Sequence, residues 1–134
     1  MKENKSLTVS DHSRKRILAR GCDPVASLEF SKIVPSLTGN AKYTLTFNDA
    51  DFIEQLKSRK WSIVFFAPGA CRFSAAKQSI PGGNSETTGW TLEQYRELVY
   101  QLQGDKVQIV EVMDEAETVM LLNKALEKAR EIKQ

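Results

Sequence analysis

Histidine is almost missing from this chain: His12 is the only one, and the two cysteines, Cys22 and Cys71, lie far apart with no Cys-x-x-Cys. That leaves no spacing able to ligate zinc or a similar ion, so no metal and no cofactor is expected. Two distant cysteines do not form a disulfide framework either, and a reducing cytosol is the compartment they fit. Long apolar runs are also lacking. No stretch approaches the roughly 20 residues of a membrane span, and the amino-terminal MKENKSLTVS has no apolar core, so the chain is expected to be soluble, untargeted and cytoplasmic. Charge of one sign is scarce too. A formal net charge of +2 is no dense basic field, and it does not argue for nucleic acid or an anionic membrane.

What is present is ordinary globular material. Hydrophobic residues make up 41% and charged residues 27% of 134 residues, enough for one compact core and far from a disordered or fibrous composition. The first forty residues differ in character. Arg14, Lys15, Arg16 and Arg20 cluster in a stretch that Ser10 or Asp11 can cap and Gly21 can stop, which reads as a short basic helix. Its simplest role is a solvated face; docking of nucleic acid or a protein through residues 14–20 stays open. Asp23 and Pro24 read as a second helix start, with an end expected before Pro35. Residues 1–40 are therefore expected to be a helical extension to an α/β domain over 41–134.

From Lys42 the order is regular. Tyr43, Leu45 and Phe47 alternate with Lys42, Thr44 and Thr46 as a strand does. Asn48 caps a helix whose first turn carries Asp49 and Asp51 and whose apolar stripe is Phe52, Ile53 and Leu56. Ile63 to Ala67 is a continuous apolar run, expected as a central strand buried on both faces. Thr91 with Gln94 forms a capping box, and Trp90 with Tyr95 a hydrophobic staple. Leu92, Tyr95, Leu98, Val99 and Leu102 share one face of that helix, and Gly104 stands at its end. Val107 to Met113 reads as a further strand. Asp114 and Glu117 then open a helix carrying Val119, Leu122, Leu126 and Ala129, and Glu111 is a carboxylate near the strand end. Alternating strands and helices predict an α/β fold in three layers, a parallel-centred sheet covered by helices on both faces.

In such sheets ligands sit beyond the carboxyl ends of the strands, where residues 68–89 leave the central strand. This long segment is rich in glycine and hydroxyls. Its Gly69, Ala70, Gly82 and Gly83 can offer backbone N–H groups, and Arg72 and Lys77 can offer cations, to a small anion. It is not a P-loop, since Lys77 precedes the glycines instead of following them. A mobile surface loop is the plain alternative. Cys71, after a strand and beside Arg72, is the one candidate for covalent chemistry, because a nearby cation lowers a thiol pKa. An inert, packed thiol is the plainer reading of it, because buried free cysteine is common.

The segment APGACRFSAAKQSIPG resembles the active-site stretch of the peroxiredoxins: Pro68, Gly69 and Ala70 match a first element, Lys77 a basic position, and Ile80, Pro81 and Gly82 a second. The resemblance implies a thioredoxin-like fold over about residues 42–113. It also implies lost chemistry, since the position of the attacking cysteine is Ala75 and the threonine and proline before it are Arg72 and Phe73. A second resemblance, weaker and competing, is to the nucleotide-binding half of heptosyltransferase-like glycosyltransferases, through Pro68 to Ala70, Lys77, Trp90, Tyr95 and Leu98. The function expected from these residues is a non-catalytic domain binding a protein partner or a small anionic ligand through residues 68–89. Thiol redox chemistry at Cys71, with Cys22 as the possible partner, is the alternative, and nucleotide or nucleotide-sugar binding a further one. An oligomer stays open.

Overall fold

The computed structural model describes residues 11–21, 24–46, 48–66, 92–112 and 115–132. Within them β1 (Arg16–Arg20), α1 (Pro24–Leu37), β2 (Lys42–Thr46), α2 (Asp49–Ser58), β3 (Ile63–Phe66), α3 (Leu92–Gln103), β4 (Gln108–Glu111) and α4 (Thr118–Lys128) follow one another, with a short 3-10 turn at Glu115–Glu117. The strands form one sheet in the order β2-β1-β3-β4, and every adjacent pair is parallel. The chain is therefore α/β with a parallel sheet. No helix among the described residues is long and apolar enough to cross a membrane.

Strand pleating sorts the core into two. Leu45, Ala19, Phe65 and Val110 stand in one row across the sheet, and with Ile17 and Ile63 they meet Phe30 and Val34 of α1 and Leu122 and Leu126 of α4. The neighbouring row turns the other way. Leu18, Val64 and Ile109 pack there with Phe52 and Leu56 of α2 and Tyr95 and Val99 of α3. Each fully buried aliphatic or aromatic side chain contributes roughly 1.5–3 kcal/mol relative to exposure, so both faces of the sheet are held by comparable apolar seams.

The expected short basic helix over residues 14–20 is instead β1, at the interior of the sheet. Asp11 does accept a local hydrogen bond, from the Ser13 amide at 3.0 Å, but this shapes a turn and not a helix cap. The run Ile17-Leu18-Ala19 is apolar at every position, which on a helix would spread around the axis; as a strand it buries both faces, and β2 and β3 complete its ladder on either side. The basic residues consequently share no face. Arg14 is exposed, Lys15 is buried with Nζ on the Leu126 carbonyl at 2.5 Å, and Arg20 is wholly buried. Since β1 is flanked by β2 and β3, residues 16–37 belong to the same α/β unit as the rest, and a boundary at residue 40 does not separate them from it.

Helix α1 also runs past Pro35 to Leu37. A proline in the last turn removes only one amide donor, and the end is closed by other groups: Thr38 Oγ1 donates to the Val34 carbonyl at 2.7 Å and the Asn40 amide to the Pro35 carbonyl at 2.8 Å. Gly39 and Asn40 both take positive φ, 65° and 68°, to turn the chain into β2. Elsewhere the local signals act as read. Asn48 Oδ1 accepts from the Asp51 amide at 2.7 Å, capping α2. Gly104 has φ +85° and its amide donates to the Tyr100 carbonyl, closing α3. Strand β4 is shorter than expected, although Val112 beyond it is buried. The capping residues Thr91 and Asp114 fall outside the described residues, and α4 begins after Glu117 with no side-chain cap bond.

Candidate functional site

The strand order reverses between β1 and β3: the chain goes from β1 outward to β2, then returns past β1 to β3 and β4. At such a reversal the connections diverge to opposite faces and leave a crevice beyond the strand ends. Here α1, after β1, packs on one face, and α2, before β3, packs on the other. The last rung of the sheet at this edge is Thr46, Arg20, Phe66 and Glu111 in register.

Arg20 organises that edge. Its Nε donates to Asp49 Oδ1 at 2.8 Å and its Nη1 to the Gly21 carbonyl at 2.5 Å, while Tyr95 Oη donates to Asp49 Oδ2 at 2.8 Å. Asp49 reaches this position because Asn48 caps α2 and sets its first turn against the end of β1. Arg20 and Asp49 are both completely buried and Tyr95 nearly so. Apolar rings wall the cluster: Phe66 lies 5.6 Å from Phe52 and 6.0 Å from Tyr95, centroid to centroid. An ion pair taken wholly out of water is held by geometry and by hydrogen bonds that use the remaining oxygens. Both carboxylate oxygens of Asp49 are engaged in this way, so β1, α2 and α3 are locked together at the carboxyl end of the sheet.

A second pair stands further along the same edge. Glu111, last in β4, takes a two-pronged contact from Arg96 of α3, Nη2 to Oε1 at 2.9 Å and Nε to Oε2. The carboxylate raises the Arg96 guanidinium pKa further, keeping the cation charged. Glu111 was legible as a carboxylate near a strand end; its partner was not.

The residues expected to bind ligand, Gly69, Ala70, Arg72, Lys77, Gly82 and Gly83, lie outside the described residues, as do Cys71, Cys22 and Ala75. What the structure gives is their frame: the described chain stops at Phe66, on the carboxyl end of β3, and resumes at Leu92, the first residue of α3. Both anchors are on the edge that Arg20, Asp49 and Tyr95 build. His12, the other group with proton chemistry, is elsewhere. It is buried near the start of β1, with Nε2 3.5 Å from Glu127 Oε2, and burial together with Lys15 lowers its pKa against the partial opposition of Glu127 and Asp11. Among the described residues no group of three His, Cys, Asp or Glu side chains is placed to hold a metal ion.

Sequence reasoning missed Arg20, Asp49, Tyr95 and Arg96 as a set. Asp49 read as a charge for the helix dipole, Tyr95 as half of a staple, and Arg20 as part of a solvated face. The signal that was there is the flanking of Ile17-Leu18-Ala19 by two arginines and Gly21, a short run with strand length and a glycine stop. Set against known protein families, curated proteins and solved structures, the chain matches none.

Proposed function

We propose that this chain is a binding domain that takes a small anionic ligand at the carboxyl end of β1 and β3, with residues 68–89 supplying the contacts and the Arg20–Asp49–Tyr95 cluster the rigid floor. The observation that carries the reading is the cluster itself. A wholly buried ion pair closed by a tyrosine hydroxyl stands where the order of the described strands reverses, on the edge that carries Phe66, after which the glycine-rich segment follows in the chain. A rigid frame under a ligand segment lowers the ordering cost of binding. The backbone N–H groups of Gly69, Ala70, Gly82 and Gly83 and the side chains of Arg72 and Lys77 give that segment its preference for negative charge. We read the peroxiredoxin likeness as kinship without the chemistry, because Ala75 stands where the attacking cysteine would be.

The test is a melting curve with nucleoside diphosphates or inorganic pyrophosphate, since a ligand that binds only the folded state stabilises it by about 2.7 kcal/mol at a hundred times its Kd. For a domain of this size that is a rise of roughly 10 °C, and Lys77→Ala is expected to reduce it. An undiminished rise in Lys77→Ala, or none in the wild type, contradicts the reading. A Cys71 alkylation rate that plateaus near neutral pH in a Cys22→Ala variant would favour thiol chemistry instead.

A further inference from the structure

The opposite, amino end of the sheet gathers cations. Arg16 opens β1, Arg59 and Lys60 connect α2 to β3, and Arg130 follows α4; with Glu131 and Ile132 they line one open cleft of about 420 Å³. That volume is in the range that accepts a small organic ligand. Cations at this edge have a simple reason to exist, because in a parallel sheet the helices between strands end here and positive charge complements their C-termini. Lys57 and Lys128, each in a last turn, are accounted for in that way. Arg59, the C-cap of α2, and Arg130, next after the C-cap of α4, share that reason, but it does not require four cations from three segments to converge on one cleft.

Nor does that reason account for the way Arg130 is held. Its Nε donates to the Trp61 carbonyl at 3.0 Å and its Nη2 to the carbonyl and Oε1 of Gln103 at 3.2 and 3.0 Å. These partners are neutral, so they orient the guanidinium without cancelling its charge. Gln103 is itself buried, with Nε2 donating to the carbonyls of Leu56 and Arg59 at 2.7 Å each and Oε1 accepting from the Trp61 amide at 2.8 Å. One amide side chain thus ties the Arg59 main chain to the Arg130 guanidinium, so that the Arg59 side chain starts from a fixed point beside it. A guanidinium already held, as that of Arg130 is, loses less freedom on binding, and guanidinium forks match phosphate oxygens. Glu131 and the negative helix ends offset part of that positive charge, and Arg59, Lys60 and the neutrally held Arg130 carry the argument.

We propose that this cleft binds a small polyanion carrying phosphate groups, at a site separate from the one at the carboxyl end. The two sites lie at opposite ends of β1, about 13 Å apart along the strand, and neither proposal depends on the other. The test is calorimetric titration with tripolyphosphate at constant ionic strength, on the wild type, on an Arg59→Ala/Lys60→Ala variant and on Lys77→Ala. Arg59 and Lys60 are exposed, so the double variant is expected to melt with the wild type in the absence of ligand. Its affinity for tripolyphosphate is expected to fall at least tenfold, with a shallower dependence on salt, while Lys77→Ala leaves that affinity within twofold. The inference is overturned by tripolyphosphate binding no better than sulfate at equal ionic strength, or by binding that survives in the double variant. Binding of a single-stranded oligonucleotide without tripolyphosphate binding overturns it as well.

Discussion

Replacing Asp49 by Asn changes one charge and almost no volume, and it tests whether the buried cluster is as closed as its geometry indicates. In the wild type the Arg20 guanidinium has no water contact and is compensated by Asp49 at 2.8 Å. Removing the charge of one partner in a buried pair costs about 3–5 kcal/mol, because the other is left uncompensated in a medium of low polarity. Total stability of a domain is about 5–15 kcal/mol, so about a fifth or more of it is at stake. With a urea dependence of about 2 kcal/mol per molar, the unfolding midpoint should drop by roughly 2 M. The companion variant separates charge from packing. Arg20→Met with Asp49→Leu and Tyr95→Phe removes the pair and the hydroxyl together, and it is expected to lie within about 1 kcal/mol of the wild type, since apolar replacement of a whole buried pair is commonly neutral or stabilising. Urea unfolding followed by tryptophan fluorescence reads both, with Trp61 buried as the reporter. A loss below about 1 kcal/mol in Asp49→Asn would refute the reasoning, because it would mean that the Arg20 charge is not held by Asp49.

Gln103→Leu is expected to cost about 2–4 kcal/mol in the same assay, since it strands the Trp61 amide and the Leu56 and Arg59 carbonyls that the side chain now satisfies; a cost under 1 kcal/mol would leave the network without consequence. Because the folded-state pKa of His12 lies below its unfolded value, protonation favours the unfolded chain: stability is full above about pH 6.5 and falls as pH drops through the folded pKa. Urea midpoints from pH 7.5 to 5 should show that fall in the wild type and a smaller one in His12→Asn, and equal slopes would contradict the assignment. Gly104→Ala meets no atom within 4 Å, so its cost is the backbone strain at φ +85° alone, about 1 kcal/mol, with Gly104→Asn milder; a melting temperature unchanged in both would contradict it.

Local grammar was legible and long-range pairing was not. The strand at Tyr43 and Leu45, the unbroken run Ile63 to Phe66, the Asn48 cap, the Leu92–Leu102 stripe and the Gly104 stop each depend on neighbours within a turn or two, and each appears in the fold, although in β2 Tyr43, Thr44 and Leu45 are alike half-buried and Thr46 is buried. Strand β1 depends on partners 26 and 46 residues away, as in the pairs Ile17 with Tyr43 and Ile17 with Ile63, and its charged ends pointed to a surface helix. The same distance hid the site: Arg20 and Asp49 are 29 residues apart and Asp49 and Tyr95 are 46 apart, so three residues with adequate local explanations acquire a joint role only when the sheet is assembled. The carboxyl-terminal tail behaved alike. Its mixed charge marks no partner, yet Arg130 is bound to Gln103 and the Ile132 amide donates to the Arg14 carbonyl at 2.8 Å.

A titration of nitrogen-15 labelled protein with a nucleoside diphosphate, followed amide by amide, tests the central claim most directly. Binding at the carboxyl end of the sheet predicts saturable shifts at Arg20, Gly21, Asn48, Asp49, Phe66 and Leu92, with the wild-type pattern lost in Lys77→Ala. Shifts confined to Arg16, Arg59, Lys60 and Arg130, or no saturable shifts at all, would contradict it.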